Sequence, residues 1–207
     1  MKHTKILIAA LVIVIFSGTA FADSLVTNGA TVSKVGSGFD SAAATNWNAT
    51  PGIYNPNAIV NGLPQADGTQ WNQNTAYWSG PSPDASDILT ITLATTATID
   101  KIILQADDND SYQVQYWNGS SWQLLNTFNA VGGFGLATRA TFFPPSPITT
   151  DAFEITATGG DGFYSVGQFS AYGTAISATP EPSTLPLALT GVSLLGLILV
   201  NRREALI

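Results

Sequence analysis

The chain has 207 residues, a formal net charge of −7 at pH 7, one His (His3), one Met (Met1) and no Cys. Without Cys there is no disulfide, thiol nucleophile or Cys-ligated metal, and with no imidazole beyond His3 the Ser–His and Cys–His hydrolytic arrangements are excluded. The length suits one domain with extensions. At the N-terminus, Lys2 and Lys5 precede the apolar run Ile6–Phe16, and Ala20 and Ala22 form an A-x-A cleavage site. These features predict a signal peptide over residues 1–22, a mature chain from Asp23 and export from the cytoplasm. The apolar run is too short for a bilayer-spanning helix.

Residues 23–178 read as one all-β domain, a single β-sandwich of jelly-roll type. A short helix is expected near Asn57–Val60, before Gly62. Ile88–Leu93 alternates, with Leu89, Ile91 and Leu93 on one face and threonines on the other. Ile99–Ala106 is more uniformly apolar, as a central strand is. Ser111–Tyr116 alternates again, with Tyr112, Val114 and Tyr116 inward. Asn118-Gly119 predicts a hairpin turn, since both positions tolerate positive φ. Trp122–Leu125 returns, which makes Trp117 and Trp122 a cross-strand pair. Arg139–Phe143, Phe153–Ala157 and Phe169–Tyr172 follow as further strands. No segment has a sustained helical period.

The domain's chemistry is acidic and aromatic. Lys34, Lys101 and Arg139 face twelve acids, a net charge of −9. With no cluster of Lys and Arg to neutralise phosphates, nucleic acid is excluded as a partner. Trp47, Tyr54, Trp71 and Tyr77 stand in Asn/Gln/Gly/Pro-rich loop sequence, where aromatic faces can stack on sugar rings; packing over the sandwich end is the alternative. Asp107-Asp108-Asn109-Asp110 reads as a solvated turn; its closely spaced oxygens offer Ca²⁺ binding as the alternative, without the Gly and distal Glu of an EF-hand loop. Glu154 is the only Glu of the domain and alternates with Phe153 and Ile155, so a surface strand position accounts for it. With no nucleophile elbow, phosphate loop or metal-ligand cluster, the chain reads as no enzyme and has no catalytic residue to offer.

The order of elements resembles the discoidin-type, galactose-binding-like jelly roll. Ala58–Gly62 leads to Asp67-Gly68-Thr69, then to Ala76-Tyr77-Trp78-Ser79, the strand pair Leu89–Leu93 and Ile99–Gln105, and finally Gln168-Phe169-Ser170-Ala171-Tyr172-Gly173. The resemblance runs over about Ala58–Gly173. It implies carbohydrate binding and a structural Ca²⁺ held by Asp67 and completed by the final strand at Gln168. The alternative for Asp67 is an Asx turn within its own loop.

The C-terminal residues 179–207 repeat the hydrophobic theme with opposite polarity. Leu185–Val200 carries no charge and is followed by Arg202 and Arg203. At 1.5 Å per residue it spans ~24 Å, short for a bilayer core but adaptable by local thinning, and the arginines stop it with the C-terminus in the cytoplasm. Before it stands Pro180-Glu181-Pro182, a stiff extended segment poor in backbone donors. Pro-Glu-Pro, a short apolar helix and terminal arginines together resemble the PEP-CTERM sorting tail. The resemblance implies an exosortase, a membrane transpeptidase, as partner. It also implies transient residence in the inner membrane, then the cell surface, outer membrane or extracellular matrix. The expected function is that of an exported surface or matrix protein associated with polysaccharide. A structural or adhesive protein with no small-ligand site is the alternative, and a carbohydrate-active enzyme a remoter one.

Overall fold

The computed structural model describes residues 24–40, 52–53 and 55–176. Ala20, Ala22, Trp47, Tyr54, Pro180, Glu181, Pro182, Leu185–Val200, Arg202 and Arg203 lie outside the described residues. No helix among the described residues is long and apolar enough to cross a membrane.

The described residues are all-β. In chain order the strands are β1 (Ser24–Leu25), β2 (Thr31–Val35), β3 (Gly52–Ile53), β4 (Ala76–Ser79), β5 (Asp84–Asp107), β6 (Ser111–Trp117), β7 (Trp122–Phe128), β8 (Leu136–Thr138), β9 (Ile148–Gly159) and β10 (Phe163–Ala175). A short helix, α1 (Pro56–Val60), precedes β4. Asn55 caps it by accepting from Ala58 N at 3.3 Å, and Pro56 sits in the first turn, where its missing N–H costs nothing.

Every pairing is antiparallel, in the order β3-β4-β10-β5-β9-β6-β7, with β1 on β10 and β2 and β8 on β5. β5 holds the fold together. Its first half pairs with β2 and β9 through Leu89–Thr92, its second half with β10 through 97–106. Between the Thr92–Ala152 and Ala97–Thr150 pairs, β5 carries three residues more than β9. This irregularity at exposed Ala94-Thr95-Thr96 bends the strand and folds the sheet over itself into two layers. The layers meet through rings on strands that do not pair: Phe153 of β9 and Phe169 of β10 lie 5.0 Å apart, Trp78 of β4 and Tyr112 of β6 6.1 Å. Leu89, Ile91, Ile102, Leu104, Val114 and Ile155 fill the space between and are fully buried. Each such side chain contributes roughly 1.5–3 kcal/mol of burial free energy.

Two local expectations need correction. Arg139–Phe143 is not a strand. β8 ends at Thr138, and only the Ile102–Phe142 bridge follows, with Ala140 and Thr141 exposed between. Pro144 and Pro145, which lack N–H groups, bar its extension. At the β6–β7 hairpin only Gly119 uses positive φ, at 93°. Asn118 works through its side chain, whose Oδ1 accepts from Ser120 N, Ser120 Oγ and Ser121 N, each at 2.9 Å. The Trp117–Trp122 pair forms as expected, rings 5.4 Å apart.

Candidate functional site

The turns at one end of the sandwich enclose a cleft of about 230 Å³. Trp71, Phe134 and Phe163 give it apolar walls, while Gln70, Asp107, Asp108, Asn109 and Asp161 supply polar groups. A second cavity of about 290 Å³ along β7 is lined by Asn126–Asn129, Val131 and 139–142 and holds no carboxylate.

Glycines build the rim. In Gly132-Gly133-Phe134-Gly135 the three glycines have φ of 72°, 138° and 72°, a region that a β-carbon disfavours. A Cβ on Gly135 would lie 2.2 Å from Thr69 O. That close approach lets the loop zip to the preceding one: Leu136 N donates to Thr69 O and Gly68 N to Leu136 O, both at 2.8 Å. Phe134 is thereby held at the tip, 67% exposed.

The acidic turn between β5 and β6 is not solvated, contrary to its reading from sequence. Asp107, Asp108 and Asp110 are buried. Asp110 Oδ2 accepts from Tyr112 Oη at 3.1 Å and Oδ1 from Asp161 N at 3.3 Å. Asn109 Nδ2 reaches Asp161 Oδ2 at 3.1 Å, tying this turn to the one between β9 and β10. Beneath lies the Arg139 guanidinium, which donates through Nη2 to the carbonyls of Asp107 and Asp110. Burial depresses its pKa, against the pull of Tyr112 and the neighbouring aspartates. Burial, then Asp110, Asp108 and Asp161, push Asp107 up to about 8. Burial and Asp161 push Asp110 up to about 7, against its hydrogen bonds and Arg139. Near neutrality this floor is therefore partly protonated and can both donate and accept hydrogen bonds.

The residues expected to contact glycan part company. Trp71 lines the cleft but is only 9% exposed; it packs edge-on against Tyr77 at 4.9 Å and against Phe163 at 6.2 Å. Tyr77 is fully buried behind it and has no face for a ligand, because β4 is covered on both sides. Trp47 and Tyr54 lie outside the described residues.

Asp67 and Gln168 share no hydrogen bond, although Gln168 stands opposite Gln105, whose Nε2 donates to Asp67, and Gln168 Oε1 is buried without a hydrogen-bond partner. Asp67 Oδ1 accepts from Thr138 N at 2.9 Å, Thr138 Oγ1 at 2.8 Å and Gln105 Nε2 at 3.0 Å. It bonds neither its own loop nor Gln168. Burial opposes the carboxylate, yet these bonds from Thr138 and Gln105 hold its pKa below the usual value. Gln105 also exchanges bonds with the backbone of Gln65, Oε1 with N at 3.0 Å and Nε2 with O at 2.7 Å. Gln168, opposite Gln105 in the ladder, turns its Nε2 to Phe169 O and Ser170 Oγ, both at 3.1 Å. Among the described residues no three His, Cys, Asp or Glu are grouped to hold a metal.

Sequence reasoning missed Phe134, Asp161 and Phe163. Two signals were present: an aromatic framed by glycines, and an acid in Gly159-Gly160-Asp161-Gly162.

No protein-family model matches the chain, and no curated protein matches it. Among solved structures it is similar to the family 32 carbohydrate-binding module of C. perfringens NanJ, solved in complex with galactose. The identity is 16%, over 73% of this chain and 99% of that one, with a TM-score of 0.47. The family 32 module of Streptococcus pneumoniae EndoD gives 14% identity over 73% and 100%, TM-score 0.46. The C-terminal domain of a chitobiase from Bacteroides fragilis gives 12% over 75% and 100%, TM-score 0.49.

Proposed function

We propose that this is an exported, non-catalytic surface or matrix protein that binds polysaccharide through the cleft. The observation that carries this reading is Phe134, a large exposed ring fixed by three glycines beside the Asp107 and Asp108 carboxyls and the Gln70 and Asn109 amides. A sugar presents an apolar C–H face and a rim of hydroxyls, and the cleft offers a complement to each. Its volume suits a single ring, so a chain end or one exposed residue of a polymer is the expected epitope. Trp71 and Phe163 form the wall, and Asp107, Asp108, Asn109, Asp161 and Gln70 bond the hydroxyls.

The tail gives the destination. Pro180-Glu181-Pro182 is an exosortase recognition segment, Leu185–Val200 spans the inner membrane transiently, and Arg202 and Arg203 stop transfer. The support is the order and spacing of these features in the sequence. A glycan array probed with the full chain tests the binding reading. Retention of one glycan class, lost in Asp161→Asn, is expected. Retention of none, or equal retention by that variant, contradicts it.

A further inference from the structure

Two carboxylates outside the cleft share a compartment of their own. Asp84 opens β5 and Asp87 follows three residues on; they are 0% and 3% exposed. One oxygen of each is accounted for. Asp84 Oδ1 accepts from Ser86 N at 3.0 Å, Ser86 Oγ at 2.8 Å and Asp87 N at 3.2 Å. Asp87 Oδ1 accepts from Gly38 N at 2.7 Å. Asp84 Oδ2 receives no hydrogen bond from any N–H or hydroxyl, although it is fully buried.

Bare backbone surrounds the pair. A Cβ on Gly80 would lie 2.0 Å from Asp84 Oδ2 and 3.2 Å from Asp87 Oδ2. One on Gly38 would lie 2.3 Å from both Asp87 Oδ2 and Ser79 O, and one on Gly36 2.1 Å from Asp87 Oδ1. Three glycines from two distant segments thus make room for two carboxyl groups and a carbonyl. Burial and Asp84 push Asp87 up to about 6, and no basic side chain enters the balance at that carboxyl.

Such a pair has to be neutralised, because an unpaired buried carboxylate costs far more than any packing around it returns. A proton bridges two oxygens. Here Asp87 Oδ2 has Asp84 Oδ2 beside it at Gly80 and Ser79 O beside it at Gly38, and all three are hard donors of the kind divalent calcium prefers. We infer that Asp84 and Asp87, with the Ser79 carbonyl, bind a divalent cation of the calcium class, joining the Gly36–Gly38 turn to the β4–β5 connection. This site is separate from Asp67 and from the cleft.

The test is terbium luminescence of the full chain. Trp78 adjoins Ser79, and its ring lies 5.0 Å from that of Phe39 beside Gly38, so it is placed to sensitise a bound lanthanide. The parent should show Trp-sensitised terbium emission that Ca²⁺ displaces. Ca²⁺ at a hundredfold excess over its Kd should raise the melting temperature by roughly 5–10 °C. Asp84→Asn and Asp87→Asn should abolish both responses, while Asp161→Asn in the cleft keeps them. The Asn variants remove buried charge, so in chelator they should melt no lower than the parent. A parent indifferent to Tb³⁺ and Ca²⁺ overturns the site in favour of a shared proton. An Asp87→Asn variant that responds like the parent overturns it too.

Discussion

Asp110 is fully buried, and the neighbouring turn is built closely around its carboxyl group. A Cβ on Gly160 would lie 1.7 Å from its Oδ1, so only glycine permits the close turn that delivers the Asp161 N–H. The carboxyls here are protonated more readily in the fold than in the unfolded chain, where 3.8 is the ordinary value. A raised carboxyl pKa adds stability that is complete below the unfolded value and is lost as pH rises through the folded one. For Asp107 and Asp110 the loss extends from about pH 4 to about pH 8. Thermal melts should therefore give a lower midpoint at pH 8.5 than at pH 5, with a smaller difference in Asp107→Asn. A midpoint that rises over that interval contradicts the account. None of this was legible in the sequence, because what buries the turn is Arg139 and Asp161, both distant in the chain. Four polar residues in a row read as solvent-facing until those partners are known.

The strands whose apolar residues alternate were legible: Ile88–Leu93, Ser111–Tyr116 and Phe153–Ala157 all fall within observed strands. Their side chains decide between core and solvent locally, which is the information a period of two carries. Long-range ties were not legible. The continuity of β5 through Ala94-Thr95-Thr96 rests on pairing partners, not on its own pattern. Gln105 sits in an apolar run, yet its amide links Gln65, Asp67 and Thr138. Gln105→Leu would keep the strand but orphan those groups, costing about 2 kcal/mol. A midpoint lowered by roughly 4–8 °C is expected. An unchanged melt would mean that the loop before β4 is held by its Gly68–Leu136 and Leu136–Thr69 bonds alone.

At the scale of the whole molecule, the proposed binding cleft and the proposed sorting tail are separate in the sequence and are tested separately. The tail carries its own prediction. Glu181 supplies the only charge of Pro180-Glu181-Pro182, so Glu181→Ala should leave export intact but block loss of the tail. The protein should then accumulate in the inner membrane at higher mass on a fractionated immunoblot. Normal processing would reduce Leu185–Val200 to an anchor. The cleft is tested most directly at Phe134, which is largely exposed and can be truncated without unfolding the sandwich. Stacking on such a ring contributes about 1–2 kcal/mol, or roughly a 5–30-fold change in Kd. Calorimetric titration of the glycan that the array retains, against the full chain and against Phe134→Ala, should give a Kd weaker by that factor in the variant, at an unchanged melting temperature. Equal affinity in the two proteins would show that the sugar does not bind at this cleft.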